Sequence, residues 1–486
     1  MSTLSVPISQ WKPSQRFLKQ PRDTPVAPLP VPNPTHSFWL DTPGASPLAK
    51  EGSQGALTTD ADICIIGSGI TGISTAYHLA RRLEQVDRPV KTVILEARDF
   101  YVDVGSGATG RNGGHMIPNY CFGFQDRKTT YGEDEAKKIH FIEKYTEKEI
   151  IKIVEKHQLG DIIDLSSGAH VMMFVTEKEE IDARVDYEAA KAAGLDVLKV
   201  EWLSKETMQA EYGTSFPGCR HPGHNLWPLK LVTHLFTLAS QHKPDKFSLT
   251  LHTSTPVTAI SASSSSSRKW SLSTPRGTIN CTYVIHATNA YASHLLPHMR
   301  GIAGIIPTRG HVMALRASAS SSKITNSSWW ANEGFEYWFP RPANALDEKP
   351  LIILGGGREA ALPNFDQFEA DDSVFRKDVG KVLRDFLPGL FPGKFEKGRE
   401  PEMEWTGIMG FAKIGDPFVG PVLDPSKPSD TFNGQYMAAG YSGHGMTRAF
   451  ACGEVVAGMV AGEITKEEWT EPAWLPRHFL TYQRPS

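Results

Sequence analysis

The sequence predicts an α/β protein: a parallel-sheet unit of strand–helix–strand type joined to a second part richer in strands. Three observations predict it. Ile63-Cys64-Ile65-Ile66 is a short, wholly apolar run, suited to a parallel strand buried on both faces. It enters a glycine-rich turn and a helical pattern from Ile73 to Leu83, and a second apolar run, Val93-Ile94-Leu95, closes the unit. Farther along, strand patterns at 170–176, 249–260, 281–287, 304–316, 335–340 and 350–355 outnumber the helical patterns at about 133–158, 178–194 and 446–462.

The turn is Gly67-Ser68-Gly69-Ile70-Thr71-Gly72. Gly67 permits the tight bend, Gly69 lets backbone approach a pyrophosphate, and Gly72 lets the helix pack close to the strand. The helix start then presents free N–H groups and a partial positive charge to phosphates. Glu96 ends the second strand, where a carboxylate accepts hydrogen bonds from ribose hydroxyls. The same acid repels the extra phosphate of NADP, so FAD or NAD is favoured.

Composition narrows the partners. The chain has 486 residues, and its 51 basic against 54 acidic residues give a formal charge of −3, no field to gather nucleic acid or an anionic membrane. No apolar run is long enough to span a bilayer. The five cysteines, Cys64, Cys121, Cys219, Cys281 and Cys452, are far apart and odd in number, which fits a reducing compartment better than a disulfide framework. The cytoplasm is the expected location. Lys12, Arg16, Lys19 and Arg22 precede the first acid, Asp23, so organellar import is the alternative, although Pro7, Pro13 and Pro21 break an amphipathic helix there. Serine-rich stretches at 261–267 and 318–322 read as surface hairpin loops.

The choice of nucleotide rests on the next segment, Gly105-Ser106-Gly107-Ala108-Thr109-Gly110-Arg111-Asn112-Gly113-Gly114-His115. Such a loop can lie flat against a planar ligand, with its N–H groups and Arg111 near pyrophosphate or ring oxygens. On these residues the chain resembles the D-amino-acid-oxidase-like FAD-dependent oxidoreductases, and within them the branch of sarcosine oxidases and gamma-glutamylputrescine oxidases. The resemblance runs from about Asp60 to Gly462. It includes Val257 as the adenine-side backbone contact and Ala287-Thr288-Asn289 at the turn beside the dinucleotide. It also includes Gly440-Tyr441-Ser442-Gly443-His444-Gly445-Met446-Thr447 as the flavin loop.

The resemblance implies a Rossmann-like FAD-binding domain of the glutathione-reductase-like type with an inserted β-sheet substrate domain. The expected boundaries are an extended arm at 1–55, held by Phe38-Trp39-Leu40, and FAD-binding segments at 56–130, 225–303 and 401–470. Substrate segments fall at 131–224 and 304–400, and a tail at 471–486. The expected cofactor contacts are Gly67, Ser68, Gly69, Ile70, Thr71, Gly72, Glu96, Ala97, Arg98, Gly107, Ala108, Thr109, Arg111, Asn112, Gly113, Gly114 and, apart from Ser442, the residues of the three pieces just named. The expected reaction is oxidation of a C–N bond of a small amine by hydride transfer to FAD, with oxygen or another acceptor taking the electrons. Alternatives are a non-amine substrate such as a hydroxy acid, or an FAD-binding protein without catalysis.

The candidate catalytic residues are His444, Tyr337 and Arg309. His444 either lines the flavin or caps the last helix. Arg309 either orients a substrate anion or forms an ion pair. Trp329, Trp330, Tyr337, Trp338 and Trp405 are candidates for an aromatic pocket or for core. Cys219, His221 and His224 superficially look like metal ligands, but the Pro222-Gly223 turn and the lack of a further ligand argue against a metal. Departures from the resembled pattern fall at Thr406, where sarcosine oxidases attach flavin to a cysteine, at Ile353 for an oxygen-activating lysine, and at Thr447 for the basic substrate clamp. They imply non-covalent FAD and a preference for an amine with no carboxylate beside its nitrogen.

Overall fold

The computed structural model describes residues 24–42, 45, 47–98, 107–343, 345 and 348–484. The basic stretch before Asp23, Gly105 and Ser106 lie outside the described residues.

A six-stranded sheet forms the first unit, in the order Phe418–Pro421, Gln435–Ala439, Tyr283–His286, Ile63–Ile66, Val90–Leu95 and Phe247–His252. All neighbours are parallel except the first pair. The apolar run at its centre is buried on both faces, as its composition requires. Ile63 and Ile65 face a helical layer that includes Ile70–Arg82, Pro228–Ser240 and Gly445–Thr465. Cys64 and Ile66 face a small antiparallel sheet of Ala259–Ala262, Trp270–Thr274 and Gly277–Cys281. The serine-rich stretch at 261–267 connects the first two of those strands.

The second unit is a nine-stranded sheet. Its main path runs Met403–Ala412, Ile305–Arg316, Leu351–Gly355, Glu336–Pro340, Ser328–Ala331, Ser166–Met173, Gly218–Asn225 and His115–Met116, and Glu201–Leu203 also pairs with Gly218–Asn225. Here the expected boundaries need correction. His115–Met116 and Met403–Ala412 were placed with the FAD-binding segments, yet both hydrogen-bond into this sheet. The helix Glu133–Lys156 was placed with the substrate part, yet Ile142, Ile150 and Ile153 pack into the core shared with Ile63 and Ile65. Pairing partners decide membership, and those are not legible from position along the chain. The stretch at 318–322 is not a hairpin loop: Ile305–Arg316 before it pairs with Leu351–Gly355 and Met403–Ala412, not with Ser328–Ala331 after it.

The described part of the arm is pinned across the molecule. Ser37 caps the short helix Phe38–Asp41. Trp39 is fully buried, its Nε1 donates to the Asn112 carbonyl at 2.6 Å, and its ring stacks at 6.5 Å from Phe339. No helix among the described residues is long and apolar enough to cross a membrane.

Candidate cofactor and active site

A cavity of about 500 Å³ is lined from both sheets. Its nucleotide half is built as the glycine spacing predicts. Gly67 has φ +105°, and a Cβ there would lie 2.6 Å from the Ala287 carbonyl oxygen. A Cβ on Gly72 would collide with the Gly67 carbonyl and sit 3.2 Å from Ile65 Cγ2, so only glycine brings the helix this close to the strand. Glu96 is buried at the strand end. Its Oε2 accepts from the Ser68 N–H at 3.0 Å and hydroxyl at 2.7 Å, and its Oε1 from the Arg98 N–H at 3.1 Å. Oε1 has a further lone pair, and Glu96 lines the cavity.

Two helix N-termini converge. Gly69, Ile70 and Thr71 open one of them onto the cavity, and the Ile70 N–H donates to Thr109 Oγ1 at 3.0 Å. Gly445, Met446 and Thr447 open the other, on a helix of 21 residues whose N-cap His444 supplies no side-chain cap. The helices are held together where Ser74 Oγ donates to the Phe450 carbonyl at 2.7 Å and the Thr71 and Tyr441 hydroxyls meet at 2.8 Å. Unsatisfied N–H groups and partial positive charge thus face one space. Val257, Ala287, Thr288 and Asn289 line it from the sheet, and Ala97, Gly107, Ala108, Asn112 and Gly113 from the loops. Among the described residues, no heavy atom lies within 4 Å of a Cβ built at Gly107 or Gly443, and backbone at Gly443 is open to a close ligand. Gly114 and Gly440 lie off the cavity lining. The Gly114 N–H is held by Asn112 Oδ1 at 2.6 Å and the Gly440 N–H by Asn289 Oδ1 at 3.0 Å.

The two arginines expected at the cofactor line the cavity but are committed to protein. Arg98 grips Asp372 with two bonds, at 2.7 and 3.0 Å. Arg111 donates to the carbonyls of Thr35 at 2.6 Å and Thr406 at 2.7 Å and stands 3.7 Å from the same Asp372. They build the wall rather than reach from it.

The other half of the cavity is the underside of the second sheet. Strand alternation divides the expected aromatics. Trp330 and its cross-strand partner Tyr337 line the cavity, while Trp329 and Trp338 stack on the opposite face with centroids 5.3 Å apart. Trp405 is fully buried and donates to the Arg111 carbonyl at 2.9 Å. Burial lifts the Tyr337 phenol to about 12, so it is protonated at neutral pH. His444 lines the cavity and has its Nδ1 3.2 Å from the Ser442 carbonyl, which can only accept. That places the proton on Nδ1 and a lone pair on Nε2. Burial, with Arg448 behind it, holds His444 below its ordinary pKa and hence neutral. His115, His170 and His221 also line the cavity, each depressed by burial, His115 and His221 to about 4. Cys219 is buried in an apolar cluster and His224 bonds Ser167, so the Cys219, His221 and His224 side chains have separate surroundings.

Arg309 is a correction. It lies off the cavity lining, and its guanidinium pairs with Asp366 at 3.1 Å and donates to the Asp371 carbonyl at 3.1 Å, so the ion-pair alternative is the one observed. Ile353 is also displaced from its expected place, being fully buried in the core beside Phe339 and Trp405. Thr447 does line the cavity. Among the described residues, a further cation lines the cavity without a carboxylate ion pair, and it is not one of the expected site residues. Arg358 follows the strand Leu351–Gly355 and lies over Phe335 and Phe411, its Cζ 5.2 and 5.1 Å from their centroids. Burial pulls its pKa below the ordinary value, but a guanidinium stays charged at neutral pH. The neighbouring acid Glu336 is pushed well above the carboxylate range by burial and by Glu359 and offsets little of that charge, while Glu359 and Asp366 act on it from farther off without an ion pair among the described residues.

A glycine turn into an open helix end, an acid on the next strand and a second helix end facing the same space define a dinucleotide-binding oxidoreductase site. Residues 62–459 match the family described as FAD dependent oxidoreductase, DAO, and the chain belongs to it. It is similar to gamma-glutamylputrescine oxidoreductase of Escherichia coli strain K12, 24% identical over 403 residues that cover 83% of this chain and 84% of that one. Among solved structures it is similar to glycine oxidase from Geobacillus kaustophilus, with TM-score 0.61, 20% identity, and 85% of this chain and 96% of that chain covered. It is also similar to L-amino acid deaminase from Proteus myxofaciens in complex with anthranilate, with TM-score 0.63, 16% identity, and 90% and 96% covered.

The glycine cradle and open helix ends fit FAD, and Glu96 fits its ribose. Glu96→Arg puts a cation against the Ser68 and Arg98 N–H groups. The variant is expected to purify largely as apoprotein, read as flavin absorbance per chain, and full occupancy would remove Glu96 from the site.

Proposed function

We propose that this protein oxidises the C–N bond of a small amine that also carries a carboxylate. The observation that carries the reading is Arg358, a half-buried guanidinium on the substrate side of the cavity with no carboxylate ion pair among the described residues. A partly desolvated charge without a close counter-ion is costly, and a ligand anion reduces that cost. When bound, FAD supplies a hydride acceptor and passes the electrons on to oxygen or another acceptor. The chain's residues do the rest. Arg358 orients the carboxylate, while Trp330, Phe335 and Tyr337 exclude water and favour the uncharged amine. Neutral His444 accepts a hydrogen bond from the amine through Nε2. The uncapped helix start at Gly445 stabilises negative charge on whatever it faces. Loss of a hydride from carbon and a proton from nitrogen leaves an imine, which water cleaves to a carbonyl compound and an amine. The relative named a gamma-glutamylputrescine oxidoreductase and the neighbours named for amino-acid oxidation and deamination support this class.

The test is anaerobic mixing of the yellow protein with paired substrates. A carboxylated amine should bleach the flavin faster than the same amine without the carboxylate. Bleaching by a hydroxy acid alone would replace the amine reading, and no bleaching by any compound would favour a binding role.

FAD is held without a covalent bond in this reading. Thr406, not cysteine, occupies the resembled attachment position, and its hydroxyl donates to the Asp372 carbonyl at 2.9 Å. His115 has its Nδ1 3.2 Å from the Gly113 carbonyl and its Nε2 3.3 Å from the Trp338 carbonyl; the neutral ring donates to one of them and keeps a lone pair on the other nitrogen, so His115 is the residue to replace if colour stays in the pellet. Acid or heat should release all flavin to the supernatant, and colour left in the protein pellet would show a covalent link.

A further inference from the structure

The family match begins at residue 62, yet one wall of the cavity comes from before it. Leu29 and Pro30 line the cavity, and both are half-buried, so apolar surface remains there for a ligand to cover. We propose that the segment 27–35 is part of the FAD site, a strap that retains the dinucleotide.

Both ends of the strap are anchored on residues around the cavity. At one end the Ala27 N–H donates to Ser293 Oγ at 2.8 Å, and the Ala27 carbonyl lies 3.2 Å from His294 Nδ1. His294 and its neighbours Tyr291 and Leu295 line the cavity. At the other end the Thr35 N–H donates to the Asp372 carbonyl at 2.8 Å, and the Thr35 carbonyl accepts from Arg111 at 2.6 Å. The Thr406 N–H donates to Thr35 Oγ1 at 2.9 Å, and Ser37 Oγ donates to the Gly110 carbonyl at 2.8 Å. Asp372 also holds Arg98, two residues past Glu96. The strap therefore ties the nucleotide-binding unit, the glycine-rich loop and the substrate sheet together across one cavity.

Sequence explains how a segment without helix or strand holds this course. Pro25, Pro28, Pro30, Pro32 and Pro34 fix φ at every second or third position, so little chain entropy is lost on ordering. Proline donates no N–H, and the N–H groups of Ala27 and Thr35 bond at the two ends.

The experiment is a titration of apoprotein with FAD, followed by flavin fluorescence, with iodide quenching of the bound flavin as a second readout. A chain lacking residues 2–34 is compared with one lacking only 2–23, and Leu29→Gly/Pro30→Gly is compared with the full chain. We expect Kd for FAD to rise about tenfold or more in the first comparison and several-fold in the second, with easier iodide access in both. If the shorter chain does not fold, the double variant decides, because it keeps every anchoring hydrogen bond. Kd within about twofold and unchanged quenching in the folded variants would overturn the proposal.

Discussion

Arg358→Ala should raise KM for a carboxylate-bearing amine by about one to two decades. The guanidinium makes charge-assisted hydrogen bonds to the carboxylate, each worth about 1.5–3 kcal/mol. The same substitution should leave KM for the uncarboxylated amine nearly unchanged or slightly lower, since removing a half-buried cation favours an uncharged ligand. Flavin content should not change, because Arg358 contacts Phe335 and Phe411 rather than the glycine cradle. Arg358→Lys should recover only part of the loss, as an ammonium cannot grip a carboxylate with two parallel bonds. The measurement is steady-state kinetics on a matched pair of amines. An equal loss on both members would make Arg358 a structural residue, and no loss on either would remove it from recognition.

Arg358 shows where legibility in the sequence stopped. The dinucleotide half follows from local rules: a glycine forced to positive φ, a helix end, and an acid on the next strand. Each is set within a few residues, so the span from Ile63 to Glu96 could be read directly. The substrate half depends on which strands pair and how they curve. Trp329 and Trp330 illustrate the limit, since alternation says that only one can face the cavity but not which. Ile353 was matched by register along a strand whose facing is set by its neighbours, and it turned out to pack against Phe339 and Trp405. A signal for Arg358 did exist. Gly355, Gly356 and Gly357 precede it, and Gly356 and Gly357 have φ of +138° and +71°. A Cβ at Gly355 would strike the Tyr337 ring, and one at Gly356 would strike the Phe335 carbonyl. Three glycines before a charged residue mark a turn where backbone crowds against side chains, as around a site. The arm was legible in its anchor, Trp39, but not in its course, because prolines fix φ without saying what lies alongside.

Arg448→Met should destabilise the holoprotein by about 3–5 kcal/mol, the usual cost of removing one partner from a buried ion pair. Arg448 is fully buried, with its Nε donating to Glu143 Oε1 at 2.7 Å and its Nη1 to Asp416 Oδ1 at 2.8 Å. Burial opposes its charge, but the two carboxylates hold its pKa above the ordinary value. Burial likewise opposes the charge on each acid, yet Arg448 holds Glu143 below its ordinary pKa, and His478, Arg448 and Arg127 together hold Asp416 well below its own. Without Arg448, Asp416 keeps the His478 contact at 3.1 Å, whereas Glu143 keeps, among the described residues, the Asn119 N–H at 2.8 Å and Arg127 as a more distant charge. Glu143 is then the orphaned charge, and its folded pKa rises above the unfolded value. The sign of the pH dependence follows. In the native protein the depressed acids contribute stability above their unfolded pKa, and it is lost as pH falls through their folded values. In the variant a raised Glu143 costs stability while ionised, and acid relieves that cost. The gap between the two proteins should therefore be widest near neutral pH and narrow as pH falls, first through the raised Glu143 value of the variant and then through the lowered value of the native protein. Thermal unfolding with excess FAD from neutral into acid pH measures it. Arg448 follows Thr447 in the first turn of the helix that faces the cavity, so flavin affinity should fall with stability, and Glu143→Gln in the same chain should restore part of both. A gap that widens in acid would mean that neither carboxylate carries an unpaired charge, and restoration by Asp416→Asn rather than by Glu143→Gln would place that charge on Asp416.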